Sequence, residues 1–67
     1  MNASAQPVPL AERLGLSDKE AGALLGMSYK TIERARKSGA LPAKRVGSSI
    51  RIKPADLMAW FDGLEDY

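Results

Sequence analysis

The chain has 67 residues, of which 27% are charged and 45% hydrophobic, with no cysteine, no histidine and a single tryptophan. This length allows one domain, and without Cys or His it has no disulfide, no thiolate zinc site and no imidazole base. A domain this small also has little room for a deep pocket, so we expect no enzyme, no metal site and no cofactor.

The hydropathy pattern predicts a cytoplasmic protein. No stretch approaches the ~18 apolar residues of a membrane span. The longest apolar run, from Ala21 to Met27, contains two glycines. The first charged residue is Glu12, so we find no basic leader of the kind that begins a signal peptide.

Charge is distributed unevenly along the chain, although the net charge is only +2. Residues 28–53 contain eight lysines and arginines against Glu33 alone, which gives +7, whereas residues 54–67 carry −4. Most basic residues are simply solvated on exposed faces. A block this dense in so small a domain instead favours a polyanionic partner.

The first half of the chain predicts a disordered tail and two helices. Residues 1–12 are small, polar and Pro-containing, which is typical of a tail. Leu14 and Leu16 alternate around Gly15 and are expected to pack inward. A capping box from Ser17 to Glu20 begins the first helix, whose apolar face consists of Ala21, Leu24 and Leu25.

A second helix is predicted over residues 29–37. Gly26 ends the first helix, and Ser28 is a typical N-cap for the next. The buried stripe of this second helix is thin, with Ile32 and Ala35 supported by Met27. Since so short a connection leaves no room for an antiparallel hairpin, the two helices must cross steeply, as in a helix-turn-helix.

Residues 44–52 predict a β-hairpin. A three-residue loop, Gly47 to Ser49, would pair Val46 with Ile50 and so keep apolar side chains on one face. The same register sets Arg45 opposite Arg51 on the other face. Because like charges directly opposite are unfavourable without a partner, this face is expected to bind an anion.

A third helix is predicted to begin at Pro54, which suits a first helical turn. Its expected apolar face consists of Leu57, Trp60, Phe61 and Leu64. We expect Trp60 and Phe61 to anchor the core rather than to form a groove for a partner. Residues 65–67 are expected to form a frayed acidic end.

The run from Leu14 to Leu64 resembles the excisionase-type, MerR-like winged helix-turn-helix domain, over about three quarters of the chain. The resemblance is carried by an ordered set of short matches: Ser17, Glu20-Ala21, Leu24 to Ser28, Thr31-Ile32, Ser38-Gly39, Leu41 to Ala43, Val46-Gly47, Arg51-Ile52, Asp56-Leu57 and Trp60. Each match is weak by itself, but their order is specific.

The resemblance implies a mainly α fold with a small two-stranded antiparallel wing over residues 13–64. It implies that the recognition helix and the wing contact DNA through Ser28, Tyr29, Lys30, Thr31, Glu33, Arg34, Lys37, Arg45, Ser48, Ser49 and Arg51. The long dimerising helix of full MerR regulators is not found.

Two residues depart from the pattern. Gly22 replaces the more usual alanine, and Arg36 replaces an apolar residue, so its side chain either snorkels or reaches a phosphate.

Several of these residues have a plain structural alternative to a DNA contact. Lys30 and Arg34 either contact DNA or only keep the helix solvated. Tyr29 either stacks on the sugar-phosphate edge or covers Ile32. The Thr31 hydroxyl bonds either a phosphate or the backbone. For Glu33, a pair with Lys30 or Lys37 is favoured over a contact to cytosine.

The implied function is that of a phage or prophage excisionase, which binds and bends specific double-stranded DNA. Several copies would bind adjacent repeats and direct a site-specific integrase toward excision. A small prophage or plasmid transcriptional regulator is the alternative within DNA binding. A protein-interaction module that keeps the fold is the alternative of another class, and the basic block argues against it because charge is depleted at the centre of protein interfaces.

Overall fold

Residues 14–66 are described by a computed structural model. In chain order their elements are α1 (Asp18–Leu25), α2 (Tyr29–Lys37), β1 (Lys44–Val46), β2 (Ser49–Arg51) and α3 (Pro54–Asp62). The two strands form an antiparallel hairpin, so the predicted winged helix-turn-helix architecture is confirmed. The predicted tail, residues 1–12, lies outside the described residues, as does Tyr67.

Helix α1 begins and ends where the sequence predicts. The Glu20 amide donates to the Ser17 hydroxyl oxygen at 3.1 Å, and the Ser17 amide donates to the Glu20 carboxylate at 2.9 Å. These two bonds satisfy amides that a helix N-terminus leaves without partners. Gly26 ends the helix with a φ of 71°, a left-handed conformation that glycine adopts at little cost.

The turn between α1 and α2 depends on a close approach at Gly22. The Met27 amide donates to the Gly22 carbonyl oxygen at 2.7 Å, and Gly22 itself is buried. A Cβ atom at this position would lie only 2.6 Å from the Met27 carbonyl oxygen. Gly22, which replaces the more usual alanine of the family pattern, is therefore required by this backbone contact.

The core is aliphatic and small. Each helix contributes one buried side chain, and the other three lie in the segments before α1, before β1 and directly after β2. Its buried members are Leu16, Ala21, Ile32, Leu41, Ile52 and Leu57, none more than 1% exposed. Leu16 and Ile52 also exchange backbone hydrogen bonds of 2.8 and 2.7 Å, which fixes the start of the domain against the hairpin.

Leu14 does not pack inward as predicted. It is 92% exposed, while Leu16 is fully buried. The chain bends at Leu14 and forms an isolated β-bridge only at Leu16. Because alternation by two applies only along extended chain, the bend removes Leu14 from the face that Leu16 shares.

The expectation that Trp60 and Phe61 pack in the core holds in part for Trp60 and is wrong for Phe61. Trp60 is partly buried and packs at the edge of the aliphatic cluster, but Phe61 and Leu64 are each 41% exposed. Helix α3 ends at Asp62, so Leu64 lies beyond the helical face on which its spacing placed it. Leu57 is the fully buried residue of this helix.

The register of the hairpin differs from the prediction. The observed pairs are Val46 with Ser49, Arg45 with Ile50, and Lys44 with Arg51. The turn therefore has two residues, Gly47 and Ser48, rather than three. Gly47 has a φ of 61°, which the first turn residue of a type II′ hairpin requires and which matches the twist of the strands.

We predict that Gly22→Ala destabilises the domain, although alanine is the better helix former. The new methyl group would overlap the Met27 carbonyl, and the free energy of unfolding should fall by about 1–3 kcal/mol. Urea denaturation followed by circular dichroism measures this change.

Gly63→Ala is the matched control. At Gly63 a Cβ would make ordinary contacts at 3.5 Å and longer, and the φ of −84° suits alanine. This control should be neutral or slightly stabilising. If both variants are equally stable, the close approach at Gly22 does not constrain the turn.

Candidate nucleic-acid interface

Helix α2 separates its apolar and basic residues onto two faces. Ile32 is fully buried and Ala35 packs beside it. Lys30, Arg34 and Lys37 are exposed and follow one another at i, i+4 and i+7, so they form a row along the opposite side of the helix. The row is one helix long and open to a partner along its whole length.

The start of α2 carries an aromatic ring beside a lysine. Ser28 caps the helix by accepting a hydrogen bond from the Lys30 amide at 3.0 Å. Tyr29 is 42% exposed, and the Lys19 ammonium nitrogen lies 5.7 Å from the centre of its ring. Lys19 thus extends the basic row onto α1. Lys19 was not among the predicted contact residues, because no sequence spacing connects it with Tyr29.

Two other predicted residues of α2 have partners within the helix region. The Lys37 ammonium lies 3.4 Å from the Glu33 carboxylate, which is the structural alternative favoured for Glu33. Thr31 is partly buried, and its amide donates to the Ser28 carbonyl at 3.1 Å. Both residues remain on the side of α2 that carries the basic row or at its border.

Arg36 neither snorkels freely nor extends toward a ligand. Its Nε and Nη2 atoms donate to the two carboxylate oxygens of Asp18 at 3.1 and 2.8 Å. The hydrogen bond with Asp18 raises the pKa of Arg36. The pair joins the first turn of α1 to the last turn of α2, so it fixes the angle of the basic helix.

The observed register places the two predicted arginines of the hairpin on opposite faces. Directly paired residues share a face, and neighbours along a strand alternate. Arg45 shares the core side with its partner Ile50. Arg51 lies on the outer side, where its partner is Lys44. The predicted pairing of like charges is thus present, but Lys44 takes the place of Arg45.

A groove of about 340 Å³ lies between the end of α2 and the hairpin. Apolar side chains form much of its lining, and its charged residues are all basic. The lining consists of Arg36, Gly39, Leu41, Pro42, Ala43, Lys44, Arg45 and Ile50. Ser48 is exposed at the tip of the hairpin, and Ser49 is half-buried on its outer side.

A model of the helix-turn-helix domain family matches residues 16–64. The chain belongs to this helix-turn-helix family. Comparisons with curated proteins and with solved structures give no significant match. Membership of a helix-turn-helix family implies DNA binding, and the exposed basic row on the second helix of the motif has the position of a recognition helix.

Residues 14–66 hold no group of three or more His, Cys, Asp or Glu residues able to bind a metal ion. None of the helices in this part of the chain is long and apolar enough to cross a membrane.

We predict that Asp18 and Arg36 are energetically coupled. Both side chains are less than one fifth exposed, at 18% and 19%, and the contact is bidentate. A double-mutant cycle with Asp18→Ala and Arg36→Ala should give a coupling of about 1–3 kcal/mol in the free energy of unfolding.

Glu33 and Lys37 provide the control cycle on the same helix. Their side chains are 37% and 67% exposed, so solvent screens the pair and its coupling should be about 0.3–0.5 kcal/mol. Equal couplings in the two cycles would show that the Asp18–Arg36 pair does not hold the helices together.

Proposed function

We propose that the chain binds double-stranded DNA sequence-specifically, with α2 in the major groove and the hairpin against the adjacent backbone. The observation that supports this proposal best is the exposed basic row of Lys30, Arg34 and Lys37 on α2. Arg45 adds a further cation at the protein groove between the end of α2 and the hairpin. An α-helix fits the major groove of B-DNA, where base edges can be distinguished. The basic side chains of α2 and of the hairpin would neutralise the phosphates that flank the major groove.

The proposed contacts divide between base edges and backbone. Arg34, near the middle of α2, is the candidate for bidentate recognition of guanine. The other proposed contacts are mainly to phosphate and sugar, and they position the helix. They come from Ser28, Tyr29, Lys30, Thr31, Lys37, Arg45, Ser48 and Ser49. Glu33 is instead the candidate acceptor from a cytosine amine. Arg51, on the outer side of the hairpin sheet, is not among the contacts to this duplex.

We further propose that the protein acts as a phage or prophage excisionase in the cytoplasm of a bacterial host. The resemblance of the run from Leu14 to Leu64 to excisionases supports it. Copies bound at adjacent repeats would bend the DNA and favour excision by a site-specific integrase. A transcriptional regulator of prophage or plasmid genes would use the same DNA-binding surface.

Contact between copies has a basis in the charge distribution. The exposed residues Asp62, Glu65 and Asp66 make the end of α3 acidic, whereas α2 and the hairpin are basic. Each exposed ion pair contributes only about 0–1 kcal/mol, so the free protein is expected to be a monomer. On DNA the second copy binds at a high effective concentration, where a weak contact gives cooperativity.

Arg34→Ala is predicted to relax sequence preference and to cost about 1–3 kcal/mol on the best site selected from a random DNA pool. Arg45→Ala should instead weaken binding to all sequences by a similar factor. Competition gel shifts with specific and random duplexes measure both effects. The reverse pattern would show that the roles of helix and hairpin are exchanged.

The excisionase proposal predicts bending and cooperative filling of tandem sites. A circularly permuted duplex that carries the selected site should migrate differently according to the position of the site, because a central bend slows a fragment most. A duplex with two adjacent sites should fill more steeply than one with a single site. A straight complex with independent filling would contradict the excisionase proposal and leave simple DNA binding intact.

A further inference from the structure

The outer face of the hairpin sheet is basic, and within residues 14–66 its charged side chains are exposed. Lys44 and Arg51 are directly paired there, and both are exposed. Lys53 joins this face, because the extended backbone beyond the buried Ile52 continues the alternation of sides. Val46, 68% exposed, is the large apolar residue of the face.

Two features of this face are electrostatically unfavourable in the isolated domain. Lysine and arginine directly opposite each other on paired strands repel. Lys53 occupies the N-cap of α3 without a side-chain cap bond, so a cation lies at the positive end of a helix dipole. An anion bound to this face would offset both the repulsion between Lys44 and Arg51 and the unfavourable position of Lys53.

The neighbouring residues leave these cations available. Among residues 14–66, the three side chains have no ion-pair partner, and the Arg51 guanidinium donates only to the carbonyl of its own neighbour Ile50, at 2.7 Å. Gly15 makes room for the Arg51 side chain, since a Cβ at Gly15 would lie 3.1 Å from the Cβ of Arg51.

We propose that the outer face formed by Lys44, Arg51 and Lys53 binds the phosphate backbone of a second duplex segment. The inference rests on the proposed DNA binding by α2 and extends it. The basic row of α2 and Arg45 serve the first duplex, from the core side of the sheet. The outer face is turned to the reverse side of the same sheet. Its Arg51 and Lys53 do not line the groove, whereas Lys44, at the edge of the sheet, also borders the groove.

Duplex DNA fits this face better than another protein does. Lysine is depleted at the centre of protein interfaces, and the single exposed valine of this face, Val46, offers little apolar area to a protein partner. A duplex presents one phosphate per 3.4 Å along each strand, while Arg51 and Lys53, two residues apart in extended chain, are about 6.6 Å apart along the strand. The protein would thereby hold two DNA segments together.

Capture of a second duplex tests this inference. A biotinylated duplex on beads is saturated with the protein, and a fluorescent duplex of unrelated sequence is added at low salt. The wild-type protein should capture it. The double variant Arg51→Ala/Lys53→Ala should bind the first duplex within about threefold of wild type but capture the second at least about tenfold less.

The double variant Lys30→Ala/Arg34→Ala is the matched control, since it also removes two cations. It should lose affinity for the first duplex, which the outer-face variant keeps. Equal losses of first-duplex affinity by the two double variants would overturn the proposal, because the outer face would then contact the same duplex. Absence of capture by a wild-type protein that does bind the first duplex would also overturn it.

Bridging through protein contacts is distinguished by the acidic end of α3. If Glu65→Gln/Asp66→Asn abolishes capture as strongly as Arg51→Ala/Lys53→Ala, two bound copies are joining the duplexes and the outer face is not a DNA site. Unchanged capture by this variant supports the proposal. Failure of the wild-type protein to bind the first duplex would instead refute the proposed function itself.

Discussion

The arrangement of the domain depends on the approach of the Met27 carbonyl to Gly22. A backbone-to-backbone contact this close leaves no space for a side chain, so the chain between α1 and α2 can turn within three residues. The steep crossing of the two helices follows from that turn. Because α2 uses only Ile32 and Ala35 to pack against the core, its remaining surface stays available for the basic row.

The Asp18–Arg36 pair secures the same two helices at their other ends. One contact is backbone packing at the turn, and the other is a bidentate ion pair across the open side. Together they fix α2 at two points, about one helix length apart, in addition to the packing of Ile32 in the core. A small aliphatic core can therefore present a recognition helix at a defined angle, which sequence-specific binding needs because base contacts depend on geometry.

Local signals in the sequence predicted the helices well, and long-range placement was predicted less well. The capping box at Ser17 and the N-cap at Ser28 marked helix starts because capping is decided within four residues. The hairpin register was wrong because period-two reasoning favoured apolar pairing of Val46 with Ile50, whereas the positive φ of Gly47 selected a two-residue turn. Arg36 and Lys19 acquired partners on α1 and α2 that no sequence spacing indicates.

We propose that the exposed face of α2 and the hairpin, rather than α3, meet the DNA. Amide chemical-shift mapping by NMR, with a duplex selected from a random pool, locates this surface. The largest shifts are expected in α2, centred on Arg34, and in the hairpin near Arg45, with the acidic residues that follow α3 unchanged in a one-to-one complex. Shifts confined to α3 and its acidic end, with α2 unaffected, would contradict it.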